Sequence, residues 1–292
     1  MAVENIRILS DLHFGEPSSR VRWLPALCPL FAGADRIVFN GDSLDTRIRP
    51  DGQDAGESRR LFQEFIRGEA PRTCLLTGNH DADISTTHCL DLLGGTVFVT
   101  HGEILFSNLV PWGHDQPMLA DYFQEELAAL PPADREALEP RLAAGKRACA
   151  RLPLPPGAFP RSGWDRLRHM ACKFWPPSCA FAMVQAWRRL PTLAAEFTRQ
   201  HRPGARFVIV GHTHLPGVWM RQGVVVINTG SFSPPFGSYA VDVSPLQVVV
   251  RRVRRGPDSF SLGRIVASFA LAPVSDGPAP ATDSLPELAP AP

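Results

Sequence analysis

Five short apolar runs along the chain break off in the same way. Ile6–Ser10 runs into Asp11 and His13, and Ile37–Asn40 into Gly41 and Asp42. Thr73–Thr77 runs into Gly78, Asn79 and His80, Thr96–Thr100 into His101 and Gly102, and Phe207–Val210 into Gly211, His212 and His214. An apolar run cut off by glycine and polar residues predicts a buried strand that delivers those side chains at its carboxyl end. Between the first three runs, Val21–Phe31 and Arg59–Ile66 carry apolar residues at helical intervals, so helices are expected there. Strands alternating with helices predict a parallel α/β core. Leu90–Leu93 reads as a short crossover.

From about Glu103 to Pro203 the pattern changes to a helical, proline-punctuated one. It predicts helices near Met118–Leu130, Asp134–Leu152, Trp164–Phe174 and Ala180–Arg199. Strand character returns at Phe207 and again at Val224–Asn228. The close spacing of Ser238–Val243 and Leu246–Val253 predicts antiparallel hairpins. A last short apolar stretch ends near Ala272. The tail, 273–292, is rich in Pro, Ala, Ser and Asp and is expected to be disordered.

Composition bounds this picture without redirecting it. The chain has 292 residues, 44% hydrophobic and 20% charged, with a formal net charge of +1. Such values belong to a globular protein and do not point to nucleic acid. No basic region followed by an apolar stretch opens the chain, so a signal peptide is not expected, and no apolar run reaches the roughly 18 residues of a membrane span. The six cysteines form no CxxC pair, which predicts reduced thiols and a cytoplasmic protein. The charge is unevenly spread. Pro140–Arg206 holds thirteen Lys or Arg against two acids, +11, which leaves 1 minus 11, or −10, for the rest. That asymmetry predicts an anionic partner for the basic segment.

The residue types at the five strand ends carry the chemistry. Carboxylates, an Asn carbonyl and imidazoles, without thiolate, form a mixed oxygen and nitrogen set suited to Mn, Fe, Zn or Co. There are enough of them for two ions, which together clamp a phosphoryl group and activate a water. Asp42 is the kind of carboxylate able to bridge them. Taken singly, an Asp after a strand is a turn residue or helix cap, and Asp45 and Asp81 also fit that description. Arg47 is expected to be solvated. His88, His114, His169 and His201, outside the motifs, are expected to be ordinary surface or core residues.

Taken in order, Asp11-x-His13, Gly41-Asp42-x-x-Asp45, Gly78-Asn79-His80-Asp81, His101-Gly102 and Gly211-His212-x-His214 resemble the signature of the calcineurin-like metallophosphoesterase superfamily. The resemblance covers roughly residues 6–101 and 207–245. It implies an α/β fold, a four-layer αββα sandwich, with the domain spanning 1–272 and interrupted by a helical basic insertion at about 103–205. It implies two divalent metal ions, with Mn first. Asp11, His13, Asp42 and His214 would hold one, and Asp42, Asn79, His101 and His212 the other. His80 would stabilise or protonate the leaving oxygen, and Asp45 would orient His80.

Gly41-Asp42-Ser43-Leu44-Asp45-Thr46-Arg47 and Asp81 depart from the protein-phosphatase pattern. The basic, aromatic insertion between the His-Gly and Gly-His-x-His motifs is similar to that of UDP-2,3-diacylglucosamine diphosphatases of lipid A biosynthesis. This implies a lipid-linked pyrophosphate substrate with the insertion as a lid over its acyl chains, and the +11 charge of the segment predicts peripheral contact of residues 140–206 with an anionic membrane surface. His80 in place of arginine and Glu103 after His101-Gly102 depart from that pattern too. Other readings are a phosphodiesterase or phosphatase acting on a nucleotide or small phosphoester, a nuclease, and a non-catalytic metal-binding scaffold.

Overall fold

A computed structural model of the chain describes residues 4–47, 56–70, 72–112, 116–152 and 177–271. Two mixed sheets lie face to face. The first has strands in the order β11-β10-β9-β1-β2-β3 and the second β4-β5-β6-β8-β7. Their ranges are Ile6–Leu9 (β1), Arg36–Asn40 (β2), Arg72–Leu76 (β3), Cys89–Leu92 (β4), Val97–Thr100 (β5), Phe207–Val210 (β6), Gly217–Arg221 (β7), Val224–Asn228 (β8), Tyr239–Ser244 (β9), Gln247–Arg255 (β10) and Phe260–Ala270 (β11). Helices α1 (Gly56–Glu69), α2 (Gln116–Ala128), α3 (Leu138–Ala150) and α4 (Pro177–His201) complete the described elements.

The alternation of side chains along a strand explains the layering. Ile6, Ile8, Val38, Val97, Val99, Phe207, Ile209, Val225 and Ile227 point between the sheets and form the central core. Their neighbours Leu9, Ile37, Phe39 and Leu75 point outward against Phe62, Phe65 and Ile66 of α1. On the other side Phe98, Val208, Val210, Val224 and Val226 meet Leu142, Ala148, Leu190 and Ala194 of α3 and α4. Strands buried on both faces read as continuous apolar runs, which is why the pattern was legible. Helix, sheet, sheet and helix make four layers, as the resemblance implies. No helix among the described residues is long and apolar enough to cross a membrane.

The expected parallel core is present, with β1, β2 and β3 parallel and β5, β6 and β8 parallel, and β9 and β10 form the expected antiparallel hairpin; β11, β4 and β7 are further antiparallel additions. Three local expectations need correction. The helix expected over Val21–Phe31 is a 3₁₀ helix, Leu24–Leu30, in which Pro25 and Pro29 remove amide donors. Leu90–Leu93, read as a crossover, is mostly edge strand β4, paired antiparallel to β5. The short last stretch is the eleven-residue β11, whose bulged register against β10 hides the alternation. The expected helix Trp164–Phe174 and the tail 273–292 lie outside the described residues. Five cysteines, Cys28, Cys74, Cys89, Cys149 and Cys179, are free.

The helical segment is less bare than its charge count suggests. Among its described cations, Lys146 meets Glu103, Arg147 meets Glu126, Arg151 meets Glu125, and Arg202 meets both Asp91 and Glu139. Arg188, Arg189 and Arg199 are exposed.

Candidate metal centre

The carboxyl ends of β1, β2, β3, β5 and β6 meet at one edge of the sandwich, the usual ligand position in sheets of parallel strands. Asn40, fully buried at the end of β2, joins the two sheets there. Its side-chain amide donates to Thr100 O at 3.0 Å, and its carbonyl accepts from His101 Nδ1 at 2.8 Å. Asp11 N donates to Gly41 O and Gly211 N to His101 O, so each ligand turn is held by the next.

The backbone at this edge is bent into conformations that side chains normally avoid. Asp11, His13, Asp42, His212 and His214 all have positive φ, between 49° and 66°. Each such residue costs about 1–3 kcal/mol and persists where the surrounding structure holds it. Five of the seven predicted ligands share this strain, because the chain must turn sharply to aim consecutive side chains inward. Gly41, at φ 78°, permits one of these turns, since a Cβ there would lie 2.5 Å from His101 Nδ1.

Two donor groups result, sharing Asp42. In the first, one ligand atom each from Asp11, His13, Asp42 and His214 lie within 4.8 Å of one another. His13 Nε2 is 3.0 Å from His214 Nε2, which is 3.2 Å from Asp11 Oδ1, and His13 Nε2 is 3.9 Å from Asp42 Oδ2. In the second, His101 Nε2 is 3.3 Å from Asp42 Oδ2 and 3.2 Å from Asn79 Oδ1, and His212 Nδ1 is 2.8 Å from Asn79 Oδ1. The first group lies nearer solvent: the His214 side chain is 36% exposed, whereas His101 and His212 are buried.

The far nitrogens of three imidazoles show what the near ones offer. His13 Nδ1 donates to Glu16 Oε1 at 2.8 Å, His101 Nδ1 to Asn40 O, and His212 Nε2 to Leu109 O at 3.0 Å. Each ring therefore turns a lone pair toward neighbouring acceptor atoms. Acceptors facing acceptors at about 3 Å repel unless a cation or an added proton lies between them. The set fits divalent metal ions: mixed oxygen and nitrogen donors, with the far nitrogens fixed by hydrogen bonds.

The electrostatics agree. Burial opposes ionisation of Asp42, yet His101 and His80 hold it well below the ordinary carboxylate range. Burial also opposes the His101 charge, but Asp42 outweighs it and pushes the metal-free imidazole up to about 9. His212, lowered by burial and by His101, falls to about 3 and stays neutral.

Beside the first group stands His80, its side chain 23% exposed, with Nε2 4.0 Å from Asp42 Oδ2. Asp45 Oδ2 accepts from His80 Nδ1 at 3.0 Å and from Arg47 Nη2 at 2.5 Å. Burial and Arg47 pull the His80 pKa down, but Asp42 and Asp45 prevail and push it up to about 10. Arg47, expected in solvent, is instead held against Asp45, since its guanidinium can bind that carboxylate through two nitrogens. Asp81 is neither ligand nor helix cap. Its carboxylate accepts from the backbone amides of Gly78, Asp42, Ser43 and Leu44 and so shapes the turn that carries Asp42.

Two acids at this site, half-buried Glu16 and buried Glu103, have roles that the sequence does not mark. Glu16 lies three residues after His13, a spacing that could have suggested it. Glu103 was noted only as a departure from a motif, and its partner Lys146 only as one basic residue among thirteen. Aromatic rings border the site: Trp112 lies 5.1 Å from His212, and Trp187 Nε1 donates to Thr213 O at 2.9 Å. An open cavity of about 450 Å³ lined by Arg7, Asp242 and Arg251 lies at the other end of β1 and contains none of these residues.

The calcineurin-like phosphoesterase family model matches residues 5–216. None of the curated proteins compared matches the chain. Among solved structures it is similar to a predicted phosphoesterase from Streptococcus pneumoniae, at 15% identity over 93% of this chain and 99% of that one, TM-score 0.37. It is also similar to a dimetal phosphatase from Danio rerio, at 12% identity over 90% and 99%, TM-score 0.41. A third is Vps29 of Entamoeba histolytica complexed with zinc, at 11% identity over 91% and 98%, TM-score 0.41. These likenesses add nothing to the family match.

Proposed function

Because the chain belongs to the calcineurin-like phosphoesterase family, we propose that it is a dinuclear-metal phosphoesterase. The observation that carries this reading is the placing of Asp42 between two donor groups, with His80 beside them. Asp11, His13, Asp42 and His214 would hold one ion, and Asp42, Asn79, His101 and His212 the other. When bound, two such ions polarise phosphoryl oxygens and lower the pKa of water.

The chain's own groups supply the rest. His80 turns Nε2 toward the shared carboxylate and gives its proton to the leaving oxygen. Asp45 holds His80 Nδ1, and Arg47 holds Asp45, so the ring cannot swing out of line. Glu16 fixes His13 through Nδ1. The test is metal-dependent cleavage of a panel: a chromogenic phosphodiester, a phosphomonoester, a cyclic nucleotide, a lipid-linked nucleoside-diphosphate sugar and DNA, with Mn²⁺. Cleavage that a chelator abolishes is expected. Two bound ions without turnover of any member would favour the scaffold reading.

A lipid-linked substrate has one further observation in its favour. Phe181 and Val184 are 65% and 43% exposed on α4, at helical spacing from Trp187, which contacts the His212–His214 turn. Exposed Arg188 and Arg189 follow on the same helix and suit an anionic membrane surface. Phe181→Asp with Val184→Asp should raise KM for a lipid-linked substrate and leave a small chromogenic ester unaffected; equal effects on both would remove this reading.

A further inference from the structure

We propose that Lys146 and Glu103 are positioning residues for the buried half of the metal centre, a role that rests on the two-metal reading above. Lys146 projects from α3 and is 3% exposed, yet it is not a surface charge turned inward by chance of packing. Its Nζ lies 2.5 Å from Glu103 Oε1 and donates to Thr77 O at 2.7 Å. Thr77 stands two residues before Asn79 and Glu103 two residues after His101. One ammonium thus ties together the two turns whose side chains, Asn79 Oδ1 and His101 Nε2, lie 3.2 Å apart.

The preceding residue of α3 leads to the third ligand through Leu109. Gly145 lets the helix close on Leu109, since an added Cβ would come within 3.3 Å of the Leu109 side chain. The Leu109 carbonyl accepts from His212 Nε2 at 3.0 Å. One turn of α3 therefore supports Asn79, His101 and His212 from behind. Neither carboxylate oxygen of Glu103 has a hydrogen-bond partner among the described residues, so the ion pair with Lys146 is what holds this buried carboxylate in place. A buried pair whose hydrogen bonding is incomplete is poor value for stability alone, and its position behind the ligands accounts for it better.

Neither residue reaches a substrate, so the test reads metal. Mn²⁺ is titrated by calorimetry into metal-free full-length protein, with thermal unfolding followed in parallel. The wild-type chain should bind two ions. Lys146→Met should weaken one of them about 10–100-fold, the usual size for loss of a group that orients a ligand, and leave the other unchanged. A lowered Tm with both affinities intact would mean that the pair is only structural and would overturn the proposal. Lys146→Met strands the Glu103 charge, and if it fails to fold, Lys146→Met with Glu103→Gln removes both charges. That double variant should show the same one-site weakening, and two wild-type affinities in it would overturn the role. Fewer than two ions in the wild-type chain would remove the two-metal reading, and this role with it.

Discussion

The two donor groups of the candidate metal centre share Asp42 and differ in almost everything else. The Asp11–His13–His214 half lies at the rim, with His214 36% exposed and the partly exposed His80 alongside. The Asn79–His101–His212 half is sealed: His101 and His212 are buried, and their far nitrogens are taken up by the carbonyls of Asn40 and Leu109. The charges behind them differ too. A carboxylate, Glu16, backs the rim half, and a Glu103–Lys146 pair backs the sealed one. On the proposed two-metal reading, this contrast would give exchange with water and leaving group to the rim and retention of metal to the sealed half.

The largest effect should come from the rim. His80→Ala should lower kcat on the order of 10²-fold or more, as expected for a lost general acid, with two ions still bound. Parallel loss of metal would make His80 a ligand and blur the contrast. Next, His101→Ala and His214→Ala should each empty one subsite in a Mn²⁺ titration, and the ion left in His214→Ala should be the one that a chelator removes slowly. Equal removal rates from the two variants would erase the distinction between halves.

The pH dependence separates them further. On the proposed reading metal would take the lone pair of His101, whose pKa burial and Asp42 together set at about 9, so binding would expel a proton at any lower pH. Affinity for the sealed subsite should therefore fall as pH drops below about 9, by about tenfold per unit for one proton. His212, at about 3, is already neutral and adds nothing to this slope. Titrations at pH 8.5 and 6.5 measure it, and a flat profile would contradict the assignment of His101. The smallest effect should be that of Glu16→Gln. The amide still accepts from His13 Nδ1 while the charge is lost, and the rim ion should weaken about tenfold, the low end for such partners.

How much of this was legible follows from what a sequence can record. The five strand ends stood out because a strand buried on both faces is a continuous apolar run, and its polar terminus is abrupt. Arg47 and Lys146 did not, because a lone cation looks solvated until its partner is known. Lys146 meets a carbonyl 69 residues away and a carboxylate 43 away, pairings made only by the fold. β11 was underestimated because an edge strand keeps one side in solvent, and two register shifts break its alternation. The 3₁₀ segment was legible in principle, since Pro25 and Pro29 stood in plain view within the supposed helix.

The account turns on one carboxylate serving both halves, and Asp42→Asn addresses it directly. The variant keeps size and shape but removes the negative charge between the two donor groups. Metal content per folded chain, measured together with chromogenic phosphodiester turnover, should drop below the two ions of the wild type, with turnover lost in proportion. Two ions per chain and a wild-type rate in Asp42→Asn would contradict a dinuclear centre bridged at this residue.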